Sequence, residues 1–181
     1  MRFKNTPTHY GLIAITLHWL VAAGVIGQFA LGLWMTGLEY YDAWYTRAPD
    51  LHKGLGVLLF TGVALRLIWR GLNPVPAPVP GHAPWERRLA GVAHRLLYAL
   101  LFAVMVAGYL ISTADGRPIT VFGLFSVPAT LSGLPAQEDI AGEIHAWLAF
   151  TLIGLSTLHA LAALKHHVID RDRTLKRMLG R

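Results

Sequence analysis

The sequence contains no cysteine and few charged residues. Without cysteine the chain cannot form disulfides, zinc–thiolate sites, iron–sulfur clusters or the covalent attachment of c-type haem. It also lacks a Rossmann glycine fingerprint and a P-loop, so a nucleotide-driven activity is not supported. Only 14% of the 181 residues are charged and 54% are hydrophobic, whereas soluble domains are usually about a quarter charged. These proportions indicate a membrane protein, and the length suggests one domain over residues 1–181.

Four long apolar runs can form membrane-spanning helices, each of which needs roughly 20 mainly apolar residues. They cover about residues 10–34, 51–69, 89–112 and 143–167. The first run is too long for the apolar part of a signal peptide. Between the second and third runs, NPVPAPVPGHAP at residues 73–84 predicts a stiff, extended linker. The longer connection at residues 113–142 is expected to lie against the membrane surface.

The charges outside these runs alternate in sign along the chain. The N-terminal tail, the second connection and the C-terminal tail are basic, whereas the first and third connections are acidic. Under the positive-inside rule, this pattern places both termini in the cytoplasm and predicts an all-α, up-down-up-down four-helix bundle. Topology and contact with anionic lipids then account for the net charge of +6, so we expect no nucleic-acid partner.

Four histidines lie in or at the edge of the apolar runs, at two matching depths. His18 and His159 are expected near the cytoplasmic face, and His52 and His145 near the periplasmic face. On the fourth helix, His145 and His159 are separated by roughly 21 Å and return to within about 40° of the same face. Ionisable residues inside a membrane are usually functional because their burial is costly. The alternative is that each one hydrogen-bonds a neighbouring carbonyl.

Two neutral imidazoles that face each other across an apolar gap best fit the axial ligands of a b-type haem. Zinc is the main rival, but it prefers four ligands and often includes a carboxylate or thiolate. A transporter whose histidines handle protons or metal is a further alternative. Arg66, at the cytoplasmic end of the second helix, is a candidate partner for haem propionates. Alternatively, its long side chain simply carries the charge to the membrane interface.

Several segments, which together extend from about Thr8 to Leu179, resemble the bacterial cytochrome b561 family. They are TLHWL, LHKGLGVLLF, RLIWR before the proline-rich linker, AHRLLYALLFAVMVAGY, DGRPITVFGLF, and IHAWLA followed by LHALAALKHH. The resemblance implies a four-helix protein of the bacterial inner membrane with two b haems. It further implies that His18 and His159 ligate one haem, and that His52 and His145 ligate the other.

One branch of this family is superoxide oxidase, which takes electrons from periplasmic superoxide and reduces ubiquinone in the membrane. The resemblance makes this activity our leading hypothesis. Lys53 and Arg117 are the cations expected to frame an entry for the superoxide anion; alternatively, Lys53 extends to the interface and Arg117 fixes its loop. His166 is the first candidate to supply protons to the quinone, ahead of His94 and His167. The alternative for His166 and His167 is a solvated helix end.

A second hypothesis is a cytochrome b subunit that relays electrons between a partner dehydrogenase or hydrogenase and quinone. Such subunits resemble this family in architecture. No partner-binding extension is evident in the sequence, which favours a protein that acts without a redox partner protein.

Overall fold

The computed structural model describes residues 2–79 and 81–181. Met1, and Pro80 within the predicted linker, lie outside the described residues. Four long helices dominate the fold: α1 (Leu12–Met35), α2 (Arg47–Leu72), α3 (Pro84–Ser112) and α4 (Gln137–Val168). Each of them is long and apolar enough to cross a membrane. The predicted fold class, a helical membrane protein with four spans, is therefore confirmed.

Helices α2, α3 and α4 begin before their predicted starts, because their first turns are polar and hydropathy marks only the apolar part of a helix. Helix α3 begins at Pro84, a position where proline loses no helical hydrogen bond. The Ala83 N–H donates to Glu86 Oε2 at 2.9 Å, which closes the start of α3 as a cap. Helix α4 has Glu138 and Asp139 in its first turn, where negative charge is favourable.

The third connection contains two short strands, which the all-α prediction did not include. Strands β1 (Ile119–Val121) and β2 (Phe125–Val127) pair antiparallel. The turn between them uses left-handed backbone at Phe122 (φ 50°) and Gly123 (φ 72°), a conformation that favours glycine. A further short helix, α5 (Thr174–Met178), follows the last membrane helix.

By their contacts, the described residues form two compact units. Unit 1 takes its described residues from the ranges Met1–Ala22, Gly62–Ala99 and Gly154–Arg181, and unit 2 takes them from Ala23–Thr61 and Leu100–Ile153. Val63 is fully buried in unit 1, and Val121 and Thr113 are fully buried in unit 2. Large apolar side chains such as Leu20 and Trp147 remain 63% and 76% exposed, as expected for surfaces that face lipid. The single domain over residues 1–181 stays a prediction.

Candidate functional site

In unit 2, the structure brings His52 of α2 and His145 of α4 together, with ring centroids 6.1 Å apart and an interplanar angle of 78°. His145 Nδ1 lies 2.8 Å from the Val104 carbonyl oxygen. A carbonyl only accepts hydrogen bonds, so the proton of a neutral His145 must be on Nδ1. Its Nε2 therefore carries a free lone pair, and the Val104 carbonyl fixes the orientation of the ring, as in many metal-binding histidines.

Two glycines make room for these rings. A Cβ atom at Gly108 would lie 3.1 Å from His145 Cε1, and one at Gly32 would lie 3.3 Å from His52 Cε1. Both distances are tighter than ordinary contacts, so each ring lies directly against a helix backbone. Gln28 Nε2 donates to the His52 carbonyl at 2.8 Å, which fixes the backbone of α2 at this point. No pattern in the sequence indicates these three supporting residues.

In unit 1, His18 of α1 and His159 of α4 form a second pair, with ring centroids 6.4 Å apart and an interplanar angle of 73°. Arg66 Nη1 donates to His18 Nδ1 at 2.7 Å, and Arg66 Nε donates to the Tyr98 hydroxyl at 3.0 Å. A guanidinium only donates hydrogen bonds, so Nδ1 of a neutral His18 accepts and the proton is on Nε2. This arrangement is the opposite of that in His145.

A third histidine of unit 1, His94, lies beside this pair. Its Nδ1 donates to the Ala90 carbonyl at 2.7 Å, and its ring centroid lies 5.1 Å from that of His159. Two imidazoles on opposite sides of one metal ion have centroids roughly 6–6.5 Å apart, because each nitrogen–metal distance is about 2 Å. The spacing of His18 and His159 meets this requirement, whereas the spacing of His94 and His159 is too short.

The two pairs suit the axial ligands of a b-type haem. In unit 2, His52 Nδ1 is enclosed without a hydrogen-bond partner among the described residues, and His145 already presents Nε2. In unit 1, ligation through Nε2 of His18 requires Arg66 to release Nδ1. A released Arg66 guanidinium is then available for an anionic group such as a propionate. The donor sets therefore fit haem, with a rearrangement of one side chain in unit 1.

Lys53 and Arg117, the predicted superoxide-entry cations, are each paired with a carboxylate. Lys53 Nζ lies 2.8 Å from Asp50 Oδ1, and Arg117 forms an ion pair with Asp115. Hydrogen bonds from the Arg117 side chain and backbone lower the pKa of Asp115, and the Asp115 carboxylate raises the pKa of Arg117. Neither cation therefore contributes an isolated positive charge.

The β-hairpin of unit 2 packs onto helix α2 beside Lys53. A Cβ atom at Gly54 would lie only 2.8 Å from Phe122 Cζ, so the aromatic ring rests directly on the helix backbone. Gly54 is buried. The hairpin turn therefore covers the segment of α2 that carries His52. This turn belongs to the GRPITVFGLF segment of the sequence.

His166, the predicted proton donor, contacts neither histidine pair in any hydrogen bond, ion pair or ring contact of the described residues. Its Nδ1 lies 2.7 Å from Asp170 and 3.5 Å from Asp172, and its ring stacks on that of His82 at 4.4 Å. Hydrogen bonding from Lys165 lowers the pKa of Asp170. Burial raises the pKa of Asp172, but the hydrogen bond from His82 and those from Thr174 outweigh it, so this pKa is also lowered.

Comparison with known proteins identifies the family. The chain matches the family described as prokaryotic cytochrome b561 over residues 9–181. It is 55% identical over 181 residues to cytochrome b561 homolog 2 of Escherichia coli, covering 100% of this chain and 96% of that protein. It is 30% identical over 178 residues to the probable superoxide oxidase CybB of Yersinia pestis, covering 94% of this chain and 95% of that protein. It is 28% identical over 176 residues to cytochrome b562 of Cereibacter sphaeroides, covering 94% of each.

The family match covers nearly the whole chain, including all four membrane helices and all four paired histidines. The resemblance found in the sequence is thereby confirmed. The chain belongs to the prokaryotic cytochrome b561 family, and it is a bacterial integral membrane protein of electron transfer for which the family implies b-type haem.

Proposed function

We propose that this protein is a superoxide:ubiquinone oxidoreductase of the inner membrane that holds two b haems, each between one histidine pair. The observation that carries this proposal is the spacing of the two pairs, 6.4 Å for His18 with His159 and 6.1 Å for His52 with His145. The 30% identity to a protein named probable superoxide oxidase supports the choice of electron donor.

The overall reaction is the oxidation of two superoxide anions to two molecules of O₂, coupled to the two-electron, two-proton reduction of one ubiquinone. Haem b, when bound, supplies one-electron redox chemistry. The chain itself positions the ligands: the Val104 carbonyl holds the proton of His145 on Nδ1, and Gly32 and Gly108 admit the rings of the unit 2 pair. In unit 1, Arg66 donates to His18 Nδ1, and its guanidinium would be available to a haem propionate once this contact is released.

Proton supply to the quinone requires a group that can exchange protons near neutral pH. His94 has a free Nε2 lone pair, because its Nδ1 proton is held by the Ala90 carbonyl, and its ring is in contact with that of His159. These contacts support His94 as the proton-exchanging group. The role of His166 in proton supply stays a prediction from the sequence, and its contacts with two carboxylates and His82 favour a different role.

The entry of superoxide depends on the local field around Lys53 and Arg117. Each is paired with a carboxylate in the structure. The attraction for an anion therefore depends on how far each carboxylate offsets the charge of its cation. We propose that Lys53 attracts superoxide because it directly follows His52 and its side chain is 37% exposed. Arg117 is held by Asp115 and is expected to contribute less.

Stopped-flow mixing of the oxidised, haem-loaded protein with superoxide tests this function. Haem reduction should be faster than spontaneous dismutation of superoxide. Lys53→Gln should slow it about threefold or more and reduce its dependence on ionic strength. Lys4→Gln, which removes a cation from the N-terminal tail, is the matched control and should leave the rate unchanged. Haem reduction no faster than dismutation in the unmodified protein would exclude superoxide as the donor.

The second candidate is a cytochrome subunit that receives electrons from a partner dehydrogenase or hydrogenase and passes them to quinone. One observation favours it: Lys53 and Arg117 are both paired with carboxylates, which weakens the field that a superoxide site needs. Purification from native membranes under mild detergent separates the two candidates. A stoichiometric dehydrogenase or hydrogenase in the purified complex, together with slow reduction by superoxide, would support the subunit.

A further inference from the structure

A second group of histidines and carboxylates lies at the C-terminal end of α4, within unit 1. His82, which precedes α3, and His166, in the last turn of α4, meet Asp172 from the segment after α4. One possible ligand atom from each residue lies within 4.8 Å of the other two. His82 Nε2 is 2.6 Å from Asp172 Oδ2, and His166 Nδ1 is 3.5 Å from the same oxygen. Three chain segments thus converge on one point.

The three side chains are largely enclosed. The exposed fractions of their side chains are 16% for His82, 15% for His166 and 11% for Asp172. His166 Nδ1 is buried without a hydrogen bond of good geometry, although Asp170 Oδ2 is only 2.7 Å away. Enclosing a polar nitrogen without a hydrogen bond costs free energy. The cluster therefore places an enclosed imidazole nitrogen against two carboxylates without a well-formed hydrogen bond.

The neighbouring carboxylates are already engaged. Lys165 Nζ lies 3.1 Å from Glu86 Oε1 and 2.7 Å from Asp170 Oδ2. A cation bound by Glu86, Asp170 and His166 would have to displace this ammonium group. No such competition exists at Asp172, whose hydrogen-bond partners are His82 and the Thr174 N–H. The two histidines and Asp172 are therefore the residues of this cluster that a cation could bind without displacing Lys165.

We propose that His82, His166 and Asp172 bind a divalent transition metal of the zinc type. Two imidazoles and one carboxylate are a common donor set for such ions and leave a further position for water. Magnesium and calcium prefer oxygen ligands, so they fit this set poorly. Ligand atoms about 2 Å from one ion are separated by roughly 3.3 Å. The distance between His166 and Asp172 already meets this value, and the distance between His82 and Asp172 needs to lengthen by less than about 1 Å.

The metal would connect the segment before α3 to the end of α4 and would use the lone pair of His166. This role is independent of superoxide, quinone and the four haem-ligand histidines. It also accounts for the position of His166 against carboxylates, which a proton donor in contact with a quinone would not need.

Zinc binding to the haem-loaded, full-length protein tests the proposal. The protein should carry an affinity tag without histidine, be treated with EDTA, and then be titrated with Zn²⁺ by equilibrium dialysis and elemental analysis. We expect one Zn²⁺ per chain, with a Kd in about the micromolar range or tighter. His82→Ala and Asp172→Asn should each weaken binding by at least about tenfold, since even residues that only support metal ligands contribute that much.

Two variants serve as matched controls. Glu86→Gln removes a carboxylate of the neighbouring group and should leave the Zn²⁺ affinity unchanged, as should His9→Ala, which removes an exposed histidine of the same unit. The haem absorption spectrum of each variant reports whether it is folded. Unchanged Zn²⁺ affinity in both His82→Ala and Asp172→Asn, or a loss confined to Glu86→Gln, would overturn the assignment. The absence of stoichiometric binding in the unmodified protein would also overturn it.

Discussion

The His52–His145 pair and the His18–His159 pair consist of the same side chains at nearly the same spacing, 6.1 and 6.4 Å. They differ in what the second nitrogen of one ring contacts. His145 Nδ1 meets a carbonyl oxygen at 2.8 Å, whereas His18 Nδ1 meets the Arg66 guanidinium at 2.7 Å. The first contact leaves Nε2 ready to bind a metal ion, and the second places the proton there.

The unit 2 pair therefore already has a nitrogen free to bind a metal ion, whereas the unit 1 pair lies beside a positive charge. The unit 2 pair has neutral supports, namely a carbonyl and two glycines that admit the rings. The unit 1 pair lies beside a fixed positive charge and a third histidine, His94. A nearby cation favours the reduced, less positive state of a redox centre. We therefore expect the unit 1 centre to have the higher reduction potential, which would draw electrons from the unit 2 centre.

The largest effect is expected for two variants that lose haem, and they test whether the pairs are two separate sites. His145→Ala and His159→Ala each remove one proposed ligand from one pair, so each should lower the haem content from the proposed two per chain to about one. The haem-to-protein ratio, from the pyridine haemochrome assay, measures this content. The haem that remains should have a different midpoint potential in each variant.

His167→Ala is the matched control for both variants, because it changes a histidine of the same helix outside the pairs, and it should retain both haems. Full haem content in both His145→Ala and His159→Ala would rule out these ligands. Complete haem loss in either variant, with the helical circular dichroism preserved, would show that the two sites do not form independently.

The sequence was sufficient to pair the histidines, because apolar runs locate the span ends and the depth of each histidine follows from them. It could not identify the support of each ring. Gly32 and Gly108 lie on other helices, so their contacts with the rings depend on packing that no local pattern reveals. Arg66 follows the apolar middle of α2, and the sequence is equally compatible with an inward or an outward side chain. The structure shows it directed towards His18.

The polar ends of the fold were harder to predict. Hydropathy does not distinguish a polar first turn from a loop, so the starts of α2 and α4 were placed four and six residues late. The hairpin at Ile119–Val127 has only three residues in each strand, too few to show a clear alternation. The proximity of His82 to His166 requires the linker to return to the end of α4, which cannot be inferred from spacing.

The second prediction concerns the charge beside His18. Arg66→Met keeps much of the side-chain length and removes the cation, so the oxidised state of the unit 1 haem is stabilised and its midpoint potential falls. A charge interaction of about 1–2 kcal/mol corresponds to a fall of about 40–90 mV for one electron. A spectroelectrochemical titration resolves the two haems. The potential of the unit 2 haem should stay within the error of the measurement.

Arg70→Met is the control for this change, since Arg70 is an exposed cation one turn further along α2 and should shift the potential much less. Equal shifts in the two variants would mean that general surface charge, and not the position of the Arg66 guanidinium beside this site, sets the potential. Arg66→Lys should give an intermediate shift, because the charge remains but the planar guanidinium is lost.

The smallest expected effect concerns the space around His145. In Gly108→Ala, the new methyl group would lie 3.1 Å from Cε1 and 3.2 Å from Nδ1 of His145, so the ring must move by a few tenths of an ångström and its hydrogen bond to Val104 weakens. We expect the free energy of haem binding at this site to become less favourable by about 1 kcal/mol. Thermal haem release and the low-temperature EPR signal of the unit 2 haem measure the change.

Gly154→Ala on α4, where a Cβ atom meets nothing within 4 Å, should leave both measurements unaltered. If Gly108→Ala changes the unit 1 signal instead, or matches Gly154→Ala, then the unit 2 site does not depend on close contact between ring and backbone.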